Sequence, residues 1–149
     1  MSTPLVRRVS HSEILCAVNA QQLIAEYAAE CSVPDADPQV EKYAALEAAG
    51  ALACFGAYVG EELVGFASIL MTGMLHTSKR VANIESLFVS SSQRFTGAGN
   101  ALLLAAELDA AASGCVQLLA TARIGSRLDK ILTHRAGCKV THVVFTTWL

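Results

Sequence analysis

The sequence predicts an α+β domain in which helices are interleaved with a sheet of about six or seven strands. Its 149 residues are a natural size for one domain with one core. A composition of 53% hydrophobic and 16% charged residues excludes disorder and indicates a well-filled core or a subunit interface. Runs rich in β-branched and aromatic residues alternate with Ala/Leu-rich runs. We therefore expect a single domain over residues 1–149.

The first fifty residues predict one strand and two helices. A short first strand is expected over Leu5 to Val9. The capping box "SHSE" at Ser10 to Glu13 predicts the start of a helix that runs to about Ala29. The prolines of "CSVPDADP" end this helix, and a second short helix over Val40 to Ala49 is ended by Gly50.

The rest of the chain predicts a hairpin followed by alternating strands and helices. The hairpin consists of the runs "ALACFGAYVG" and "ELVGFASILMTG", joined where Gly60 can adopt a positive φ. A central strand is expected at "VANIESLFV", which is rich in Val, Ile and Phe. There follow a helix over Gly97 to about Ser113, a buried strand "CVQLLATA", a helix "GSRLDKILTHRAG" ended by Gly137, and a last strand "KVTHVVFTTWL".

Charge, cysteine pattern and hydropathy argue against several function classes. A net charge of -2 gives no electrostatic reason to expect a nucleic-acid partner. The five cysteines contain no C-x-x-C pair, and we expect no metal. No run reaches the ~18 apolar residues that span a bilayer, so we expect no membrane partner and a cytoplasmic location. The last strand could pair with a second copy, which makes a homodimer possible.

The stretch "ESLFVSSSQRFTGAGNALLLAAE" changes from a strand to a helix through a turn with two glycines. A helix N-terminus offers unpaired N–H groups and a partial positive charge, and it binds phosphate when side chains do not block the approach. Gly97 and Gly99 remove those side chains, and Ala98 between them is small. Arg94 and Thr96 add a charged fork and a hydroxyl. The pattern predicts a pyrophosphate-binding turn.

Two alternatives to this interpretation concern the same residues. The glycines could simply form a strand-to-helix turn with Arg94 solvated. The turn could also belong to another nucleotide-binding motif, but the dinucleotide fingerprint needs a third glycine where Leu102 stands, and "GAGNAL" lacks the Gly-Lys-Ser/Thr of a P-loop. The two familiar nucleotide motifs are therefore not matched.

The stretch "IESLFVSSSQRFTGAGNALL" resembles the acetyl-CoA signature of the GCN5-related N-acetyltransferases (GNAT). That signature is Gln/Arg-x-x-Gly-x-Gly/Ala after a Leu-x-Val strand, and Arg94, Gly97 and Gly99 match it. The resemblance covers Glu61 to the C-terminus, whereas the first 50 residues match only in the order of elements. A looser similarity to small acetyltransferases of phages and prophages lies in "ESLFV", "TGAG" and "GSRLDKIL".

The resemblance implies the acyl-CoA N-acyltransferase fold, with a central mixed, largely antiparallel sheet of six to seven strands flanked by about four helices. It also implies that the pantetheine arm of acetyl-CoA bonds to the backbone at the Leu-x-Val positions and that the pyrophosphate lies on the turn. Ser126 stands where the family often has an asparagine that holds the pantetheine. The implied acetyl-CoA-binding residues are Leu87, Phe88, Val89, Arg94, Phe95, Thr96, Gly97, Ala98, Gly99, Asn100 and Ser126.

The implied reaction moves an acetyl group from the thioester to a primary amine by direct attack in a ternary complex. An amine with a pKa near 10.4 is mostly protonated at neutral pH, so a general base is useful. Glu85 matches the acidic residue of "Ile-Glu-x-Leu" in many members and is the expected base. It could instead be an exposed strand residue or a counter-ion for the amine. A backbone N–H near Leu87 would meet the developing oxyanion.

The family's usual acid is a tyrosine four residues before the glycine that ends the last helix, and here that position is Thr133. Water, His134 or His76 could replace it, and we favour water, with His76 as an acceptor-site residue. His11 and His142 have no recognisable constellation around them in the sequence. Because the tyrosine is missing, a catalytically silent CoA-binding module is the alternative function. No motif identifies the amine acceptor.

Overall fold

The computed structural model describes residues 2–31 and 37–149 of the chain. The chain divides into two compact units, Met1–Leu119 and Ala120–Leu149. The first unit contains β1 (Leu5–Val9), α1 (His11–Cys16), α2 (Ala20–Cys31), α3 (Val40–Ala48), β2 (Leu52–Val59), β3 (Glu62–Gly73), β4 (Arg80–Val89), a 3-10 turn (Ser91–Gln93), α4 (Ala98–Ala112) and β5 (Cys115–Leu119). The second contains α5 (Arg127–His134). The expectation of one domain over the whole chain stays a prediction.

The five strands form one sheet in the order β1-β2-β3-β4-β5. The first three neighbouring pairs are antiparallel and β4 pairs with β5 in parallel, which confirms a mixed, largely antiparallel sheet. The expected hairpin is β2–β3, and Gly60 in its turn has a φ of 61°. The expected central strand is β4, which has a neighbour on each side.

The prediction of six to seven strands is wrong for the described residues, which form five. The segment "KVTHVVFTTWL" is not a strand, and its side chains Val140, Val143, Phe145 and Trp148 are exposed. Its β-branched and aromatic composition fits a pleated, half-buried surface, but a strand exists only where a neighbouring strand completes its hydrogen bonds. Composition alone therefore overestimated the sheet.

The described residues contain five α-helices instead of about four, because the first expected helix is divided into α1 and α2. The capping box is confirmed: Ser10 Oγ accepts from Glu13 N–H at 3.2 Å, and Ser10 N–H donates to Glu13 Oε2 at 2.8 Å. Ala17 is extended and ends α1. Asn19 Nδ2 donates to the Leu63 carbonyl at 2.7 Å and fixes the junction to the sheet. Most of "CSVPDADP" (residues 32–36) lies outside the described residues.

Each face of the sheet buries its own apolar cluster. On one face α4 packs Ala98, Leu102 and Ala106 against side chains of β2, β3 and β4 that include Val89. On the other face Ile14 of α1 and Leu23 of α2 join a cluster that includes Phe88. Successive side chains of a strand point to opposite faces, so Phe88 and Val89 anchor the end of β4 on both sides. The start of α4 is thereby fixed close to the end of β4.

The later helices differ from expectation only in length. Gly97 is the N-cap of α4, as the sequence predicted. The last helix, α5, ends at His134 and not at Gly137, which lies in the following turn with a φ of 77°. Among the helices of the described ranges, none is long and apolar enough to cross a bilayer.

Candidate active site

The turn between β4 and α4 presents backbone without obstructing side chains. Gly97 has a φ of 88°, a left-handed conformation that disfavours other residues, and no heavy atom lies within 4 Å of where its Cβ would be. At Gly99 a Cβ would meet only Val89 Cγ2, at 3.8 Å, and its φ is not positive. The first N–H groups of α4 have no partner within the helix. The turn thus offers the open helix N-terminus that anion binding requires.

Ala98 occupies the inner side of this turn. It is fully buried and packs in the cluster beneath α4 together with Leu102. Asn100 and Gly97 are exposed on the outer side, and Phe95 is 80% exposed. Ala98 therefore closes the turn against the sheet without covering the N–H groups on the solvent side.

Arg94 and Thr96 hold the turn together in this structure. The Arg94 guanidinium forms an ion pair with Glu30 of α2, and its Nε donates to the Val89 carbonyl at 3.1 Å. Thr96 Oγ1 donates to the Gln93 carbonyl at 2.6 Å and accepts from Ala98 N–H at 3.4 Å. These partners are protein groups, so the expected contacts of the two side chains with phosphate stay predictions.

On its β5 side, β4 is paired over only part of its length. Its parallel pairing with β5 extends only from Arg80 to Asn83, while its pairing with β3 continues to Val89. Leu87 and Val89, the expected pantetheine positions, therefore lie beyond the parallel ladder in the described residues. The ladder stops where β5 itself ends, at Leu119.

Glu85 lies at a bulge of β4. Ser68 of β3 is opposite Ser86 and Ile69 is opposite Ile84, so Glu85 is the extra residue between two pairs. A β-bulge redirects a side chain from the regular alternation of the strand and is common near active sites. Glu85 is exposed, and its carboxylate is reached by side chains from neighbouring elements.

Two hydroxyl groups hold the Glu85 carboxylate from different sides. Tyr43 Oη of α3 donates to Oε1 at 3.1 Å, and Ser68 Oγ donates to Oε2 at 2.6 Å. Ser68 Oγ also lies 2.7 Å from Ser86 Oγ. Because the single Ser68 hydroxyl proton goes to Glu85, Ser86 must donate to Ser68. Each Glu85 oxygen retains one lone pair for a further donor.

His11 lies against the ring of Tyr43. The two rings are stacked with centroids 3.6 Å apart and planes 3° from parallel. The His11 backbone N–H donates to Glu47 Oε1 at 2.7 Å, and its Nδ1 is buried without a hydrogen-bond partner. The expectation that His11 has no constellation around it is therefore wrong. Tyr43 and Glu47 are four residues apart on one face of α3, and this spacing was the signal available in the sequence.

The electrostatics of this cluster favour neutral partners around Glu85. Burial lowers the pKa of His11, against the opposing influence of Glu47 and Glu85. Burial, and then the charge and hydrogen bond of Glu85, raise the pKa of Tyr43. Burial, reinforced by Glu47, raises the pKa of the Cys54 thiol to about 12. At neutral pH, His11 is therefore uncharged while the phenol and the thiol keep their protons.

His76 is not brought to Glu85. It lies in the turn between β3 and β4, which closes through a hydrogen bond from Met74 N–H to the Lys79 carbonyl at 2.9 Å. Glu85 is five residues beyond the start of β4 at Arg80, or roughly 16 Å along the strand. The assignment of His76 to an acceptor site gains no support from this arrangement.

In the second unit, the sequence-predicted residues have local partners. Ser126 is the N-cap of α5 and accepts from Asp129 N–H at 3.1 Å. Thr133 Oγ1 donates to the Asp129 carbonyl at 2.8 Å. His134 Nδ1 lies 2.8 Å from the Lys130 carbonyl and must be its donor. These hydrogen bonds all lie within α5 and its N-cap. The role of Ser126 toward CoA stays a prediction.

The residues described here contain no group of three or more His, Cys, Asp or Glu side chains that could hold a metal ion. The cluster around Glu85 consists of a carboxylate and its hydroxyl donors. A carboxylate oriented by hydrogen bonds can accept from an ammonium group and can take up its proton.

Comparison with known proteins gives one family and a consistent fold. The sequence model of the "Acetyltransferase (GNAT) family" matches residues 20–127. No curated protein matches the chain.

Three of the similar solved structures illustrate the fold, and at these identities they support the fold alone. An aminoglycoside acetyltransferase from an uncultured soil metagenomic sample, in complex with sisomicin, is 19% identical over 98% of this chain and 96% of that chain, with a TM-score of 0.76.

The second example is AAC(6')-Iy in complex with the bisubstrate analogue CoA-S-monomethyl-acetylneamine. It is 18% identical over 99% of both chains, with a TM-score of 0.74. The third is a ribosomal-protein-alanine N-acetyltransferase from Brucella melitensis biovar Abortus 2308. It is 19% identical over 98% of this chain and 100% of that chain, with a TM-score of 0.70.

Proposed function

The chain belongs to the acetyltransferase (GNAT) family, and from this premise we propose that it transfers the acetyl group of acetyl-CoA to a primary amine by direct attack in a ternary complex. The observation that carries the proposal is the course of β4. One strand bears the oriented Glu85 carboxylate, and the chain then passes through the 3-10 turn to the open N-terminus of α4. A base for an amine and a site for a pyrophosphate thus lie on one continuous segment of the chain.

The open turn fits the pyrophosphate of acetyl-CoA. Gly97 leaves free space where a side chain would stand, and a helix N-terminus favours negative charge. We assign the pyrophosphate to backbone N–H groups between Phe95 and Asn100, and the pantetheine to the backbone at Leu87 and Val89. When bound, acetyl-CoA supplies an acetyl group activated as a thioester.

Glu85 is proposed to bind the acceptor amine and to take its proton. A lysine-like ammonium with a pKa near 10.4 must lose a proton before its nitrogen can attack. Tyr43 and Ser68 each use one lone pair of the carboxylate, so two positions remain for ammonium N–H donors. Thr133 donates within its own helix, and we retain water in place of the missing tyrosine acid.

A thiol-release assay tests the proposal. The protein is mixed with acetyl-CoA and one amine at a time: sisomicin, a peptide with an N-terminal alanine, or spermidine. The first two are taken from the names of the similar structures. We expect free CoA thiol to appear with at least one amine and to depend on that amine.

A thermal-shift measurement separates the possible failures. Acetyl-CoA should raise the melting temperature, because a ligand that binds only the folded state stabilises it. A shift with acetyl-CoA but no thiol release from a broad set of amines would indicate a silent CoA-binding module. A shift with ATP but none with millimolar acetyl-CoA would contradict the proposal altogether.

A further inference from the structure

We propose that Tyr43 is a positioning residue that fixes the Glu85 carboxylate for the acceptor amine, and that His11 holds the Tyr43 ring in place. The inference rests on the proposed function of Glu85. It adds that residues of α1 and α3 position the base for the same reaction. Its basis is geometric: the Tyr43 hydroxyl lies 3.1 Å from Glu85 Oε1, and its ring is stacked on His11 at 3.6 Å.

Glu85 needs such support because of its place on the strand. It is exposed and lies at a bulge, where the regular ladder does not fix its direction. A glutamate side chain loses conformational entropy when it is held in one arrangement. Tyr43 and Ser68 hold it before the amine arrives, so that this cost is met in folding.

Tyr43 acts through Glu85 and not as an acid of its own. Its single hydroxyl proton already donates to the carboxylate. Burial and the neighbouring Glu85 raise the pKa of the phenol, so it remains a donor at every pH at which the amine reaction is measured. A phenol in this state orients the base and cannot readily give its proton away.

His11 and Glu47 fix Tyr43 in turn. The His11 ring covers one face of the Tyr43 ring, and the His11 backbone N–H is bonded to Glu47, one helical turn after Tyr43. Because burial lowers the pKa of His11, the neutral ring is favoured at neutral pH, and the stack then brings no positive charge to Glu85. The N-terminus of α1 and one face of α3 therefore form a single support for the phenol.

The first test compares Tyr43→Phe with Tyr58→Phe. The first variant keeps the ring and its stacking but removes the hydroxyl; the second makes the same chemical change at a β2 residue whose ring contacts Arg7. With acetyl-CoA and the best amine among sisomicin, the alanine peptide and spermidine, kcat/KM for the amine should fall at least about tenfold in Tyr43→Phe, because a hydrogen bond to the charged carboxylate is lost. Acetyl-CoA affinity should not change. Tyr58→Phe should retain wild-type values.

The pH profile gives a readout that a purely structural role would not move. The titratable groups that interact with Glu85 are His11 of α1, Tyr27 of α2, Tyr43 of α3 and Cys54 of β2. Two hydroxyl groups donate to the Glu85 carboxylate, and Tyr43→Phe removes one of them. Because these hydrogen bonds stabilise the charged carboxylate, losing one favours its protonated form. The acidic limb of kcat/KM should therefore move to higher pH.

A double-mutant comparison separates positioning from general damage. In a Glu85→Ala background, Tyr43→Phe should have no further effect on turnover, because the group that it positions is gone. His11→Phe, which keeps a flat ring, should retain more activity than His11→Ala. Wild-type kcat/KM and an unmoved pH profile in Tyr43→Phe would overturn the inference while leaving acetyl transfer intact. A wild-type protein that releases no thiol with any amine would overturn both.

Discussion

The turn before α4 and the cluster around Glu85 use opposite means on the same strand. The turn works by exposing backbone: Gly97 has no atom near its missing Cβ, and Ala98 points into the core. The cluster works by bringing side chains together from α1, α3, β3 and β4, with each Glu85 oxygen already bonded to a hydroxyl. Substitutions that add side-chain atoms should therefore impair the turn, and substitutions that remove functional groups should impair the cluster.

The largest effect is expected from Glu85→Gln. The amide keeps the shape of the side chain but cannot take a proton at neutral pH. Loss of a general base typically costs about 10²–10⁴-fold in rate, so kcat should fall within that range and the acidic limb of the pH profile should disappear. Steady-state thiol release from pH 5 to pH 9 measures both. Unchanged turnover across this range would reduce Glu85 to a structural residue.

The next largest effect should come from adding bulk to the turn. Gly99→Val should weaken acetyl-CoA binding by at least about tenfold, because one charged hydrogen bond is worth about 1.5–3 kcal/mol and the side chain blocks the approach to several N–H groups. Gly99 is the better site than Gly97, since its φ is not positive and the variant is not strained for that reason. Gly73→Val is the control, because a Cβ there would meet no atom within 4 Å, its φ is not positive, and it ends a strand away from the turn. An equal loss of affinity in both variants would contradict this account of the turn.

A smaller effect is expected at Arg94. Arg94→Ala should weaken acetyl-CoA binding by a few-fold, and more strongly at low ionic strength, where an exposed charge is less screened. The ion pair with Glu30 makes Glu30→Ala the control. That variant loses the same surface pair, worth about 0–1 kcal/mol, but keeps the guanidinium. If the two variants bind acetyl-CoA equally, Arg94 serves only to tie the turn to α2.

These two regions also differ in how far the sequence could predict them. The turn is contiguous, so a bare strand-to-helix turn at Gly97, Ala98 and Gly99 could be predicted from their spacing, and its binding of pyrophosphate stays a prediction. The cluster joins residues far apart in the chain, and the sequence pattern indicates only Glu85 among them. Tyr43 and Ser68 acquire their roles from the strand register and from the packing of α3, neither of which a short pattern contains.

The same distinction explains the errors in the fold. Elements defined by local signals, such as the capping box at Ser10 and the tight turn at Gly60, are where the sequence predicted them. The last expected strand needs a partner that its composition cannot specify, and residues 138–149 are not a strand. At the break between α1 and α2, Asn19 donates to the Leu63 carbonyl, which is likewise a tertiary interaction.

The smallest expected effect concerns the stability of the cluster with pH. The pKa of His11 in the folded protein lies below its ordinary value of 6.5, so the unfolded chain takes up a proton first as the pH falls. The contribution of neutral His11 is complete above pH 6.5 and is lost as the pH falls from there toward the folded-state pKa. In denaturant unfolding at pH 7.5, 6.5 and 5.5, His11→Phe should lose less stability over this range than the wild type. Equal losses in the two proteins would show that His11 is not the group responsible.

The central claim is that Glu85 acts on the amine while the turn before α4 binds acetyl-CoA. Calorimetric titration of acetyl-CoA into the wild type, Glu85→Gln and Gly99→Val tests this claim most directly. We predict that the wild type and Glu85→Gln bind acetyl-CoA with the same affinity, because the carboxylate serves the amine and not the cofactor. Gly99→Val should remain folded and show at least about tenfold weaker binding. Wild-type affinity in a folded Gly99→Val protein, or loss of acetyl-CoA binding in Glu85→Gln, would contradict the account.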